Sequence, residues 1–174
     1  MKKNKCINIG LVRSTYYEKI EFNMHAGAMF VIDSHNRNNK LFEEYKIQYQ
    51  NIPASGSFEI PNLISKHIDK FDAFVAIGCI IRGKTPHFDF ISKSITDGLM
   101  KISIESKKPI GNAVLTCLNK KQAIERSDWP TKKNKGFEAA KAIMHSLITS
   151  HWIENDLDPM EYEKYVDPSI YDEK

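Results

Sequence analysis

Residues 82–90, RGKTPHFDF, set an arginine, a glycine, a lysine, a threonine, a histidine and an aspartate directly behind the apolar run AFVAIGCII of Ala73–Ile81. Backbone amides around residues 83–85, the Thr85 hydroxyl and the Lys84 ammonium could close on a small anion. Gly83 would let the backbone turn and come close, and the positive end of a following helix would add to the attraction. His87 changes charge near neutral pH and can carry protons, and Asp89 stands near enough in sequence to fix its tautomer. For an isolated histidine the simpler reading is a surface residue beside a helix cap, and Arg82 and Lys84 would be solvated loop charges. The setting shifts that balance. In an open parallel sheet, ligands collect beyond the carboxyl ends of the strands. Three other polar segments fall at such ends: RSTYY (13–17), PASGSFE (53–59) and LNKKQAIER (118–126).

Each of these segments has a plain reading and a functional one. Ser57 could cap a helix, with Phe58 as its hydrophobic staple and Glu59 as a favourable first-turn charge. The backbone of residues 57–59 could equally hold a polar planar ligand, with Glu59 accepting from hydroxyls. Tyr16 and Tyr17 are a stacking platform or core-edge filling. No phosphate-binding P-loop, GxGxxG fingerprint or HExxH pair occurs. Cys6, Cys79 and Cys117 are scattered, odd in number and without CxxC spacing. They read as small core residues in a reducing cytoplasm and not a disulfide or zinc framework, and Cys79 and Cys117, within or at the end of apolar strands, read as inert thiols. The residues by themselves therefore reach a small phosphorylated ligand, a planar ligand, a histidine and no metal.

The elements that must hold these groups follow from periodicity. Residues 6–12, 45–52, 73–81 and 109–117 are short and rich in β-branched side chains, as strands are. Residues 18–35, 58–70, 88–106 and 135–152 repeat apolar residues at spacings of three and four, and 119–127 forms a shorter helix. Alternating strands and helices predict a flavodoxin-like, doubly wound α/β arrangement: three α/β/α layers around a four-stranded parallel sheet. One domain is expected over residues 1–153. The acidic, proline-containing segment 154–174 is expected to be a loosely held tail.

Composition removes whole classes of function. The chain has 174 residues, a formal charge of +3, 41% hydrophobic and 27% charged residues. That is an ordinary globular balance, long enough to bury a core without staples. The charge is too small to argue for nucleic acid, and no run is long and apolar enough to predict a membrane span or signal peptide.

Four motifs then carry a resemblance: GSFEIP (56–61), IGCIIRGKTPHFDFIS (77–92), GNAVLTCLNKKQAIERS (111–127) and NKGFEAA (134–140). Over roughly residues 5–152 the chain resembles 6,7-dimethyl-8-ribityllumazine synthases, with IRGxTxHFD the most specific part. The resemblance implies condensation of 5-amino-6-(D-ribitylamino)uracil with 3,4-dihydroxy-2-butanone 4-phosphate, releasing phosphate and water without metal or organic cofactor. It implies that Tyr16 stacks on the uracil ring, that Ser57, Phe58 and Glu59 hold the ribityl chain and pyrimidine, and that Cys79, Ile80 and Ile81 line the same pocket. Lys84, Thr85 and Arg126 would bind the butanone phosphate, and His87 would carry protons. Lys135 and Glu138 would support the site, Glu138 orienting Arg126.

The chain departs from the family pattern in four places. Asn112 stands where many members carry a phenylalanine, Ser55 and Ser57 replace a proline and an alanine, Pro86 precedes the histidine, and the stretch 126–135 is one residue longer. The resemblance further implies a cytoplasmic homopentamer whose sites lie between neighbours, with Asn112, Arg126 and Lys135 coming from the adjacent subunit. Pentamers of the family can pair or build sixty-subunit shells; the longer stretch and the tail favour a free pentamer or a pair. The alternative of another class is a non-catalytic flavin- or lumazine-binding paralogue, which Asn112 would permit.

Overall fold

The computed structural model describes residues 5–38, 45–156 and Tyr171. Four strands, β1 (Lys5–Ser14), β2 (Tyr45–Ala54), β3 (Ala73–Ile81) and β4 (Ile110–Cys117), form one sheet in the order β2-β1-β3-β4, every pair parallel. Five helices cover it: α1 (Glu18–Asn38), α2 (Ile60–Lys66), α3 (His87–Ser106), α4 (Lys120–Ser127) and α5 (Lys135–Glu154). The three-layer parallel α/β fold expected from the alternation is therefore the fold of the chain.

Side-chain alternation along the strands sorts the core into two layers. Ile9, Leu11, Val75, Ile77 and Leu115 face α1, α4 and α5, while Val12, Phe74 and Ala76 face α2 and α3. Central β3 is buried without a break from Ala73 to Cys79, which is why its sequence is a continuous apolar run. Edge strand β2 instead alternates Ile47 and Ile52 with exposed residues.

Glycine sets the approach of α5 to α1. A Cβ at Gly136 would lie 1.8 Å from the Met24 carbonyl oxygen, so the two helices meet backbone to backbone.

Three expectations need correction. The helix expected over 58–70 is a short α2 between 3-10 turns at Ser57–Glu59 and Ile68–Lys70. Regular helix stops at His67, whose backbone leaves the helical region (φ −113°, ψ 15°), and Lys108 Nζ holds the turn that follows by donating to the carbonyls of Ile68 and Phe71, both at 2.7 Å. Cys6 is exposed, because β1 contributes Val12 to the α2–α3 side of the core and Cys6 precedes it uncovered. The helix expected to fade after Trp152 runs to Glu154.

Of the expected tail, residues 157–170 and 172–174 lie outside the described residues. Tyr171 is described, and it is buried. Its hydroxyl lies 2.8 Å from His35 Nε2, its ring stands edge-on to Phe137 at 5.4 Å, and Lys141 Nζ lies over its face at 5.4 Å.

Candidate functional site

At the carboxyl end of β1, Thr15 donates its hydroxyl to the Ala54 carbonyl (3.5 Å) and so ties the first two strand ends together. Tyr16 projects outward, 73% exposed, while Tyr17 is half-buried and meets its ring edge-to-face at 4.9 Å. After β2 the chain passes Gly56 in extended conformation into the turn of Ser57–Glu59. Ser57 does not cap this turn. Its hydroxyl is buried against β3 and donates to the Cys79 carbonyl at 3.4 Å. A Cβ on Gly78 would lie 2.6 Å from that hydroxyl, so glycine there lets the segment settle on the sheet. Phe58 is 58% exposed, which removes the staple reading, and Glu59 is exposed beside it.

After β3 the Arg82 amide donates to the Cys117 carbonyl at 2.9 Å, holding the third and fourth strand ends side by side. The Arg82 guanidinium pairs with Asp89 and lies 4.9 Å from the Phe88 ring centroid. Asp89 is therefore committed to Arg82 and not to the histidine as the sequence led us to expect. Gly83 does not take a positive φ, and a Cβ there would meet nothing within 4 Å, so it opens space without making a strained turn. Lys84, Thr85 and His87 are all exposed, and His87 is the first residue of α3. An anion at this point would meet the positive end of a twenty-residue helix.

After β4, Asn119 caps α4 by accepting from the Gln122 amide at 3.0 Å, and Arg126 lies in the last turn of that helix. Arg126, Lys135 and Glu138 come together around a cavity of about 730 Å³. Four basic side chains (Arg126, Lys132, Lys133, Lys135) and three acidic ones (Glu125, Asp128, Glu138) line it, with Thr131. Glu138 accepts from Lys135 and not from Arg126, since one helical turn brings the first two face to face. A second cavity of about 380 Å³ has Tyr16, Tyr17, Lys120 and Ile124 in its lining. Neither lining includes Lys84, Thr85 or His87. The candidate residues thus fall into those that line this cavity and those after β3 that do not.

The apolar members behave as floor. Cys79 is buried, and burial first, then the nearby Cys117, pushes its thiol up to about 12. Burial also raises Cys117, against an opposing pull from Arg126. Both thiols stay protonated near neutral pH, as nucleophiles do not. Ile80 and Ile81 are half-buried, packed against opposite faces of the sheet. Asn112 is exposed on β4, and its side-chain oxygen accepts from the Val114 amide at 2.9 Å. Among the described residues no group of three or more His, Cys, Asp or Glu side chains could hold a metal ion.

Sequence reasoning missed two groupings. Beneath the first strand end, Arg13 pairs with Glu21 and lies 3.5 Å from His25, which meets the Asn51 side chain at 2.7 Å. Glu21 and His25 sit at a spacing of four on α1, but their partners come from two strands, so no local signal marks them. The second is Asn134, 0% exposed. In the sequence it stood only as the first residue of the motif NKGFEAA; neither its cap nor its other bonds were read from it.

Compared with known proteins, residues 6–150 match the family model of 6,7-dimethyl-8-ribityllumazine synthase. A protein named 6,7-dimethyl-8-ribityllumazine synthase from Corynebacterium kroppenstedtii is 46% identical over 99 residues, covering 56% of this chain and 62% of that protein. Proteins of the same name from Mycobacterium leprae and Renibacterium salmoninarum are 34% and 30% identical over 144 and 152 residues. These two alignments cover 82% and 83% of this chain, and 84% and 90% of the relatives.

Proposed function

The chain belongs to the 6,7-dimethyl-8-ribityllumazine synthase family, and from that premise we propose that it performs the family's reaction. It is a transferase that joins 5-amino-6-(D-ribitylamino)uracil to 3,4-dihydroxy-2-butanone 4-phosphate and releases lumazine, phosphate and water. The observation that supports this most is the match over residues 6–150. Within it, Lys84, Thr85, His87 and Arg126 are all exposed, each following the carboxyl end of a strand.

The chemistry suits a site made of polar strand ends. An aromatic amine attacks a ketone without strong activation, so bringing two substrates together supplies much of the rate. Tyr16 and Phe58 offer exposed aromatic faces to the pyrimidine, and Ser57 and Glu59 offer groups to the ribityl hydroxyls. Lys84, Thr85 and the positive end of α3 hold the phosphate, joined by Arg126 and Lys135. His87 carries the protons moved during imine formation, phosphate loss and ring closure. None of these steps calls on the buried thiols.

In this reading the two groups of residues meet across subunits. The His87 group of one copy faces the Arg126–Lys135 cavity of the next, in a cytoplasmic homopentamer. One observation supports that arrangement: α3 leaves Phe90, Met100 and Ile104 exposed. The test follows the fluorescent lumazine after mixing purified protein with both substrates, beside a protein-free control. Product forms well above the slow spontaneous condensation. A rate equal to the control would overturn the proposal.

A further inference from the structure

Asn134 is fully buried and uses both ends of its side chain. Its Oδ1 accepts from the Phe137 amide at 3.0 Å and caps α5. Its Nδ2 donates to the Ser127 carbonyl at 2.8 Å and to the Asn23 carbonyl at 3.0 Å. Capping alone needs only an acceptor, which serine or aspartate would also supply. The two donor bonds are what set this residue apart.

They join specific places. Ser127 follows Arg126 at the end of α4, and Lys135 follows Asn134 at the start of α5. The chain between them, through Thr131, Lys132 and Lys133, forms the wall of the 730 Å³ cavity. One amide therefore closes this loop at its base and fastens the closure to α1 through Asn23. The α1 side is built to receive it: a Cβ on Gly27 would lie 2.5 Å from Asn134 Oδ1.

We propose that Asn134 is a positioning residue for the anion subsite, fixing the separation of Arg126 and Lys135 so that both charges reach one phosphate. The proposal rests on the synthase reading for the identity of the phosphorylated substrate. Its geometry asks only that a small oxyanion bind the cavity. Arg126 and Lys135 stand on different helices, so any shift of one helix end against the other changes the fit to a compact dianion. Displacements near 1 Å at such a site cost on the order of 10²-fold in rate.

The probe is orthophosphate, whose binding does not depend on turnover, measured by titration calorimetry on the assembled protein. Asn134→Ser keeps an acceptor for the cap and removes both donor bonds. Gly27→Ala removes no hydrogen-bonding group and instead crowds Asn134 from α1. Both variants should weaken orthophosphate binding roughly tenfold and raise KM for the phosphorylated ketone by a similar factor, leaving KM for the amine within about twofold. Folded variants with unchanged orthophosphate binding would overturn the proposal. So would KM rising equally for both substrates, which is general loosening. Wild-type protein that binds orthophosphate but outpaces no control would end the synthase reading, while weaker binding in the variants would still uphold Asn134. Wild-type protein that binds no orthophosphate would end the Asn134 proposal by itself.

Discussion

Arg126 and His87 are asked for different things, and their surroundings say which matters more. His87 is exposed at the start of α3, and Asp89, two residues on, is held by Arg82. With Asp89 taken, that carboxylate is not the group that orients the imidazole, so in the proposed reaction His87 would contribute proton transfer and little else. Arg126 stands in a cavity with three further cationic side chains, where a phosphate dianion would be held and its departure assisted. We expect Arg126→Ala to lower kcat/KM for the phosphorylated ketone by about 10²–10³-fold, and His87→Ala to cost no more than that. Steady-state kinetics on both variants decides the order. Turnover abolished by His87→Ala but intact in Arg126→Ala would reverse it.

At the scale of elements, what was legible in the sequence is what local rules control. The β3 run AFVAIGCII is bounded correctly because a strand buried on both faces has no reason to contain a polar residue before it ends. The start of α5 at Lys135 follows from apolar residues recurring at spacings of three and four. The early end of α2 was not legible, because the lysine that holds the turn after it lies on the far side of α3. Asp89 was assigned to the wrong partner for the same reason: spacing brought it near His87, and only the turn of the chain brought Arg82 round to it. The contact of α1 with α5 supplies a test at this scale. Gly136→Ala forces a methyl group into the Met24 backbone, where no side chain can yield, and should cost about 3 kcal/mol or more in urea denaturation. Gly83→Ala, with open space and no positive φ, should stay within about 0.5 kcal/mol. Equal stability of the two variants would contradict the backbone contact.

For the molecule as a whole, two buried histidines set the response to acid. Burial draws His35 down to about 4, and burial with Arg13 lowers His25 against weaker opposition from Asn51 and Glu21. Both pKa values are depressed in the folded state, so below the ordinary value near 6.5 the unfolded chain takes up protons that the fold refuses. Stability is therefore full above pH 6.5 and falls as pH drops toward 4, by about 2 kcal/mol from His35 alone at pH 5. Melting followed between pH 7 and pH 4.5 should show this loss, and His35→Gln should flatten the slope by about one proton. An unchanged slope would mean that His35 is not held neutral.

The sheet order has a kinetic side. β1 is flanked by β2 and β3 and runs parallel to both, so no adjacent pair of strands can be zipped through a tight turn. Every pairing waits for a helix to cross over, and the join of β1 to β3 also waits for β2 and α2 to be laid down between them. Loop closure thus comes before most of the contacts that reward it, and chains of this kind fold slowly for their size. While the centre is incomplete, the apolar edge of β3 is open to any other strand nearby. Dilution during refolding is the lever that protects it, because misassociation depends on concentration and the crossover does not.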